Sequence, residues 1–330
     1  MKAAFITRTG GPEVITCGDL PDPVPGPRQA LVRVRAAAIN PIDTYVRAGT
    51  VAMPLPFPFV VGCDLAGEVA AVGDEVDRLR PGMRVWGSNQ GLLGRQGTCA
   101  ELAAVDEQWL YPTPDGVTDR EAAAAALVSI TAHLGLVSHA ALEPGETIFV
   151  SGGSGGVGSA VVQIAKTLGA RVIATAGTVE KRQRVEDCGA DLVFDYRRPD
   201  LVAAVLAAAP GGVDVHWETR REPDFDTALA LLADGGRMVL MAGRDARPPF
   251  PVGPFYVKGC RLCGFVMFKA PALEQAAAAL DINRWLATGR LRSRVDRVVT
   301  LAHVAEAHAL QEAATVGGSG ELTGKIVVEP

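Results

Sequence analysis

The stretch Glu146-Thr147-Ile148-Phe149-Val150-Ser151-Gly152-Gly153-Ser154-Gly155-Gly156-Val157-Gly158 decides how the rest of the chain is read. Four strand-forming residues, Thr147 to Val150, run straight into a glycine-rich turn. Gly153, Gly155 and Gly158 keep G-x-G-x-x-G spacing, with Gly156 beside them. A helical run follows over residues 157–168 and stops at Gly169. Strand, turn and helix in that order are the context a dinucleotide fingerprint requires. Glycines there permit a tight turn and let backbone N–H groups approach a pyrophosphate. The helix N-terminus adds unpaired N–H groups and the positive end of its dipole. The competing reading is an ordinary glycine-rich loop.

Working outward, 330 residues with 48% hydrophobic content are ample for about two domains. A net charge of −5, from 32 basic and 37 acidic residues, gives no electrostatic case for nucleic acid or an anionic membrane. The start, Met1-Lys2-Ala3-Ala4-Phe5-Ile6-Thr7, soon turns polar and does not read as a secretory signal. The alanine run at 122–126 reads as a helix, and no apolar run is expected to span a membrane. Six scattered cysteines point to free thiols in a reducing cytoplasm. Cys260 and Cys263 form a lone C-x-x-C in a strand-like run, where odd spacing puts them on opposite faces, which argues against a zinc pair.

Residues 1 to about 115 read as β-rich. Apolar runs at 3–7, 30–35, 67–72 and 84–86 are separated by Pro/Gly turns, as in a barrel-like antiparallel unit. From about 120 the period changes. A helix over 119–139 precedes the strand at 147–150. Strands at 171–175, 192–195, 213–218, 237–241 and 261–268 then alternate with helices at 179–188, 199–209 and 223–233. Such alternation predicts a parallel sheet covered on both faces. A helix at 272–288, a strand at 294–300, a helix at 302–314 and a strand at 325–329 are too few for a third domain, so the chain is expected to return to the first unit.

This order resembles the zinc-free quinone oxidoreductase branch (ζ-crystallin-like) of the medium-chain dehydrogenase/reductase superfamily. The resemblance covers essentially the whole chain. It rests on MKAAFITRTGGPEVI at the start, Asn40-Pro41-Ile42-Asp43-Thr44-Tyr45, the segment Val61 to Val69, Thr131-Ala132, the glycine loop, and Thr323-Gly324-Lys325. It implies an α/β protein: a GroES-like β-rich catalytic domain, residues 1–122 and 269–330, plus a Rossmann doubly wound parallel-sheet domain, residues 123–268, that binds NADP. It also implies a cleft between them and commonly a homodimer. Zinc-dependent relatives carry Cys near the Asn40 position, Gly-His-Glu where Gly62-Cys63-Asp64 stands, and a further Cys where Leu127-Val128-Ser129 stands. One cysteine cannot make a three-ligand site, so no metal is expected. Only Cys99 falls in the region of their structural zinc.

NAD-binding units place an acid at the end of the second strand to bond the ribose 2′-OH. Here that strand ends Ala174-Thr175-Ala176-Gly177, and Lys181, Arg182 and Arg184 follow. NADPH is therefore the expected cofactor, with room and a cation for its 2′-phosphate. Lys181 and, by resemblance, Tyr196 are the phosphate candidates; the competing reading of 181–184 is a solvated helix face. The resemblance implies cofactor contacts at Thr131, at Lys325, and in the loop at Ser154, Gly155, Gly156 and Val157. Thr175, Gly243 after its strand, and Phe265 and Met267 on the last parallel strand lie toward the carboxyl edge where such sheets bind ligands. Thr131 could instead bond back to its own helix, and Lys325 could be a plain charge at a strand start.

Asn40, Asp43 and Tyr45 are the expected catalytic wall. Tyr45 can assist at a developing oxygen, and Asp43 is alternatively a helix cap. His216-Trp217 ends a strand near the cofactor edge without an assigned role. Hydride transfer without a Lewis acid needs an acceptor already electron-poor, a quinone or an enone. The expected function is an NADPH-dependent quinone oxidoreductase in the cytoplasm. The alternatives are an alkenal, enone or enoyl-thioester reductase, and an NADPH-binding structural or sensor protein with little turnover.

Overall fold

The computed structural model describes every residue, Met1–Pro330. The chain divides into two compact units, residues 1–127 with 270–330, and residues 128–269. The first begins with β1 (Lys2–Ile6), β2 (Thr16–Asp19), β3 (Gln29–Ile39), α1 (Pro41–Ala48), β4 (Phe59–Val60), β5 (Asp64–Val72), β6 (Arg84–Gly87), β7 (Leu102–Asp106) and β8 (Leu110–Pro112). Helix α2 (Asp119–His133) carries the chain into the second unit. There follow β9 (Thr147–Ser151), α3 (Gly156–Thr167), β10 (Arg171–Ala176), α4 (Val179–Asp187), β11 (Leu192–Asp195), α5 (Leu201–Ala208) and β12 (Val213–Glu218). That unit ends with α6 (Phe225–Leu231), β13 (Leu232–Leu240), α7 (Val252–Val257) and β14 (Arg261–Gly264). The chain then returns to the first unit with α8 (Ala272–Ala287), β15 (Val295–Thr300), α9 (Val304–Thr315) and β16 (Lys325–Glu329).

The second unit is a parallel sheet in the order β11-β10-β9-β12-β13-β14. Successive strands run outward from β9 on one side, and the order reverses between β9 and β12. In such a doubly wound sheet ligands bind beyond the carboxyl ends at that switch point. The glycine loop leaves β9 there. One face of the sheet is closed by an apolar cluster that includes Phe149, Ile173, Val205, Leu231 and Met238.

The first unit is built on β3. One edge of this eleven-residue strand pairs antiparallel with β5. Its other edge is shared: β7 takes Gln29–Arg33 and β16 takes Ala37–Ile39. The carboxyl-terminal strand thereby joins the amino-terminal sheet, with β15 parallel beside it. Two side-chain bonds tie α8 back as well, Trp86 Nε1 to Asn283 Oδ1 at 2.8 Å and Asn89 Nδ2 to Gln275 Oε1 at 2.7 Å. A second, three-stranded sheet runs β2-β1-β4. Under α1 and α9, Arg47 is fully buried and bonds Glu312 at 2.9 Å, while His308 of α9 is also fully buried.

Four expectations change. The helix read over 119–139 is an α-helix only to His133; Leu134–His139 is a π-helix. The reason is packing: a Cβ on Gly135 would stand 2.2 Å from Trp217, so the chain passes an indole there. Residues 119–139 form one helical stretch long and apolar enough to cross a membrane, contrary to expectation, yet 78% of its apolar stretch is buried inside the protein. The helix read to 233 stops at Leu231, and β13 begins at once, because Gly235 and Gly236 cannot sustain a helix. The strand read over 261–268 ends at Gly264. Phe265 turns away to stack on His139 at 4.5 Å and to meet Trp217 edge-on at 6.4 Å. Helix α1, with Pro41 at its first position, is foreshadowed only by Asp43 as a helix cap; the cap is Asn40, and Asp43 is the third helical residue.

Candidate functional site

The residues expected at the nucleotide fall on three short connections of the second unit. Gly152 has φ +79°, a conformation that favours glycine, and its N–H donates to Thr175 Oγ1 at 3.1 Å. Gly153 N–H donates to Thr175 O at 2.9 Å. Thr175, 2% exposed, thus pins the loop to the end of β10. Helix α3 starts after Gly155 with no side chain capping it, so its first N–H groups face outward from Gly156 and Val157. That is an anion-binding terminus on a helix of 12 residues. Ser154 and Val157 are half-buried around it, and Gly155 and Gly156 are exposed.

The end of β10 carries no acid, as read. Thr178 caps α4 by accepting from Lys181 N at 3.2 Å, which leaves the half-buried Lys181 on the first turn. Tyr196 is 54% exposed, and a Cβ on Gly177 would stand 2.8 Å from its ring. Arg197, which sequence reasoning passed over, closes this corner. Its guanidinium bonds Asp195 Oδ2 at 2.8 Å and the carbonyl of Gly177, and lies over the Tyr196 ring at 5.6 Å. Arg182 reaches the same carboxylate at 3.1 Å. The side-chain bond to Arg197 holds the Asp195 carboxyl far below its ordinary range. Two arginines around one aspartate leave the corner net positive, which suits a phosphate. The signal was present in Asp195-Tyr196-Arg197-Arg198, but only the fold brings it against Gly177.

Of the residues expected near a nicotinamide, Thr131 on α2 is 4% exposed and Met267 is also 4% exposed. Phe265 and Met267 lie beyond the end of β14 rather than on it. Gly243, φ +82°, follows β13, and a Cβ there would stand 2.5 Å from Arg221 O. Trp217 is wholly buried between Gly135 and Phe265, which gives the unassigned His216-Trp217 pair a packing role. Glu218 is 1% exposed and bonds Arg220 at 2.8 Å. Burial would raise its carboxyl, but His216 and Arg220 bring it down to about 2.

In the first unit, Asn40, Asp43 and Tyr45 sit on and before α1. Tyr45 is half-buried. Asn40 is fully buried and Asp43 is 4% exposed; Asp43 Oδ2 accepts from Asn40 N at 2.7 Å, closing the first turn. The Asn40 amide donates to Asp64 Oδ2 at 2.8 Å. Lys325, expected to meet the cofactor, is 6% exposed and donates to Ile39 O at 2.9 Å and to Asn40 Oδ1. The Lys325 side chain therefore reaches Asn40, in the cluster with Cys63 and Asp64 whose positions carry the ligands in zinc-dependent relatives. No group of three His, Cys, Asp or Glu side chains in the chain could hold a metal. The donor set does not fit zinc.

Burial pushes Asp43 up to about 7, against the lowering effects of the Cys63 thiol, the Asn40 N–H and Lys325; Asp64 adds to the rise. Burial pushes His308 down to about 3, and Arg47 adds to the fall. The signs oppose. Asp43 contributes stability below the ordinary carboxylate range that is lost as pH rises through about 7. His308 contributes stability above its ordinary range that is lost as pH falls through about 3. Each limb is worth on the order of 4 kcal/mol at 1.36 kcal/mol per unit. Over about pH 4 to 6.5 the two contributions therefore oppose each other. Asp43→Asn should uncover a rise with pH over that window, and His308→Gln a fall. Profiles that neither substitution tilts would remove both assignments.

Two family patterns match the chain: "Alcohol dehydrogenase GroES-like domain" over residues 26–115 and "Zinc-binding dehydrogenase" over residues 156–282. A quinone oxidoreductase of Sus scrofa is 32% identical over 312 residues, 93% of each chain. A solved structure described as an NAD-dependent alcohol dehydrogenase matches at TM-score 0.89 and 31% identity, covering 100% of both chains. A mycobacterial protein solved in complex with NADPH matches at TM-score 0.86 and 31% identity, again covering 100% of both.

Proposed function

Since the chain belongs to the quinone oxidoreductase branch of the medium-chain dehydrogenase/reductase superfamily, we propose that it passes hydride from NADPH to a quinone or similar electron-poor acceptor, without zinc. The observation that carries the cofactor choice is the corner at the end of β10: no acid at Thr175-Ala176-Gly177, with Lys181, Tyr196 and Arg197 around it. In this reading the second unit is the NADP-binding domain and the first the catalytic domain. The loop at Ser154, Gly155, Gly156 and Val157 holds the pyrophosphate. Thr131, Gly243, Phe265 and Met267 hold the nicotinamide end. When bound, NADPH supplies the hydride. The chain orients the acceptor and supplies a hydrogen-bond donor at the oxygen that gains charge, a role assigned to Tyr45.

Lys181→Glu should weaken NADPH binding by about 1–3 kcal/mol, the range for a charged hydrogen bond, and NADH binding much less. Equal losses for both nucleotides, measured by fluorescence titration, would make Lys181 structural.

Turnover is tested on a quinone, an enone and a primary alcohol, with and without a chelator. The quinone should be reduced fastest and chelation should change nothing. Tyr45→Phe should cost the enone more than the quinone, toward the roughly 10²–10⁴-fold scale of a positioned acid. Equal small losses, with chemistry limiting, would make Tyr45 a packing residue. Reduction of the enone alone would move the protein to the enone or enoyl-thioester reductases. Absence of turnover with intact NADPH binding would leave a structural or sensor protein.

A homodimer fits the unpaired edge of β14, where Leu262 is 43% exposed and Val257 of the neighbouring α7 is 74% exposed. Light scattering that returns a single-chain mass would dismiss it. Six unpaired cysteines support a reducing, cytoplasmic setting, which fractionation of the producing cell would test.

A further inference from the structure

Three strands of the first unit converge on one buried point. Asn40 follows the end of β3, Asp64 opens β5 and Lys325 opens β16. Their exposures are 0%, 0% and 6%, and Asp43 at 4% and Cys63 at 0% complete the cluster. It contains two carboxyl groups, a thiol, an amide and one lysine side chain. Every polar atom of the Asn40 side chain is used inside the protein. Oδ1 accepts from Lys325 Nζ, and Nδ2 donates to Asp64 Oδ2 at 2.8 Å and to Ala38 O at 3.3 Å. Flipping that amide would set its NH₂ against an ammonium and its oxygen against a carboxylate. The charges on either side therefore fix one orientation.

We propose that the Lys325 ammonium is the resident cation of this cluster, in the place where zinc-dependent relatives hold a metal. It is a positioning residue: it orients Asn40, balances Asp64, and through the Asn40 backbone holds the first turn of α1 on Asp43. The helix so fixed carries Tyr45. A buried charge without counter-charge is strongly unfavourable, so an ionised Asp64 requires a cation, and the chain supplies its own. This role is independent of which acceptor is reduced. It also differs from a cofactor contact in what it leaves alone, namely nucleotide affinity.

The test compares the full-length protein with Lys325→Met, Lys325→Arg, Asp64→Asn and the double variant Lys325→Met/Asp64→Asn. Lys325→Met should lower the urea midpoint, and the double variant should recover most of that loss, because cation and carboxylate leave together. Lys325→Arg should keep more of the midpoint than Lys325→Met. Turnover per bound NADPH should fall in Lys325→Met while the dissociation constant for NADPH stays put. Losses that simply add in the double variant, or a selective loss of NADPH affinity in Lys325→Met, overturn the proposal. If Lys325→Met does not fold, a folded double variant supports the proposal and an unfolded one overturns it. A direct reading uses wild-type protein labelled with ¹⁵N-lysine, of which the chain has six. At pH 7 one protected ammonium signal should be present that is missing from Lys325→Arg. A neutral amine at this position, or free exchange by all six, would overturn it.

Discussion

Gly158→Ala is expected to cost the protein both folding stability and nucleotide binding. A Cβ at this position would stand 2.2 Å from Gly152 O and 3.0 Å from Gly152 C and Gly153 Cα. All three are backbone atoms, so no side chain can rotate aside. Gly152 itself is held at φ +79° by its bond to Thr175, and relief would have to come from moving α3 away from β9. Overpacking of this kind costs about 1–3 kcal/mol and sometimes more. It also opens the anion-binding turn, so NADPH binding should fall below detection. Gly155→Ala is the matched control. Its Cβ would find only Gly152 O, at 3.8 Å, so the fold should hold while the added methyl obstructs the pyrophosphate. Urea midpoints and NADPH titration separate the two. A Gly158→Ala protein with wild-type stability and affinity would mean that the loop is not built as described.

Arg237→Met should destabilise the second unit strongly, toward the ~3–5 kcal/mol of a broken buried pair. Arg237 pairs with Val215, just past the irregularity in the ladder of β13 against β12, and is 6% exposed. Its Nη1 and Nη2 bond both oxygens of Glu146, at 2.7 and 2.8 Å. Nε and Nη2 also satisfy the carbonyls of Ala140 and Ala141, at 2.8 and 3.0 Å, just past the π-helix. One guanidinium thus ties the start of β9 to the segment that follows Trp217's neighbour Gly135. Methionine fills the space but leaves the carbonyls of Ala140, Ala141 and Asp214 without this donor and the Glu146 carboxylate without its counter-charge. Arg237→Lys should fall between, since an ammonium cannot reproduce the planar fork. A loss below about 1 kcal/mol for Arg237→Met, the scale of a surface pair, would refute the assignment.

The two halves of the site were unequally legible in the chain. A glycine loop is a local object: Gly152 to Gly158 are consecutive, and the strand and helix flanking them announce themselves by period. The missing acid after Thr175 was visible for the same reason. The Arg197 corner and the Trp217–Gly135 contact were not, because each joins residues from separate segments. Helix α1 showed only as a helix cap at Asp43, because eight residues with Ile42 and Val46 as its apolar positions carry little periodic signal.

What the amino-acid sequence alone determined is therefore the alternation of strands and helices, the nucleotide loop, the lack of zinc-ligand residue types and the family resemblance. These depend on residue type and spacing along the chain. What only the tertiary structure decided is the company each charge keeps. Lys325 reads as a cofactor contact or a plain charge at a strand start. It becomes a buried one because β16 pairs with the far end of β3, bringing residues 285 positions apart into hydrogen-bond contact at Asn40. Burial in turn is what separates the acidity of Asp43 from that of any exposed aspartate. No local pattern encodes either, since both follow from long-range strand pairing and the desolvation it imposes.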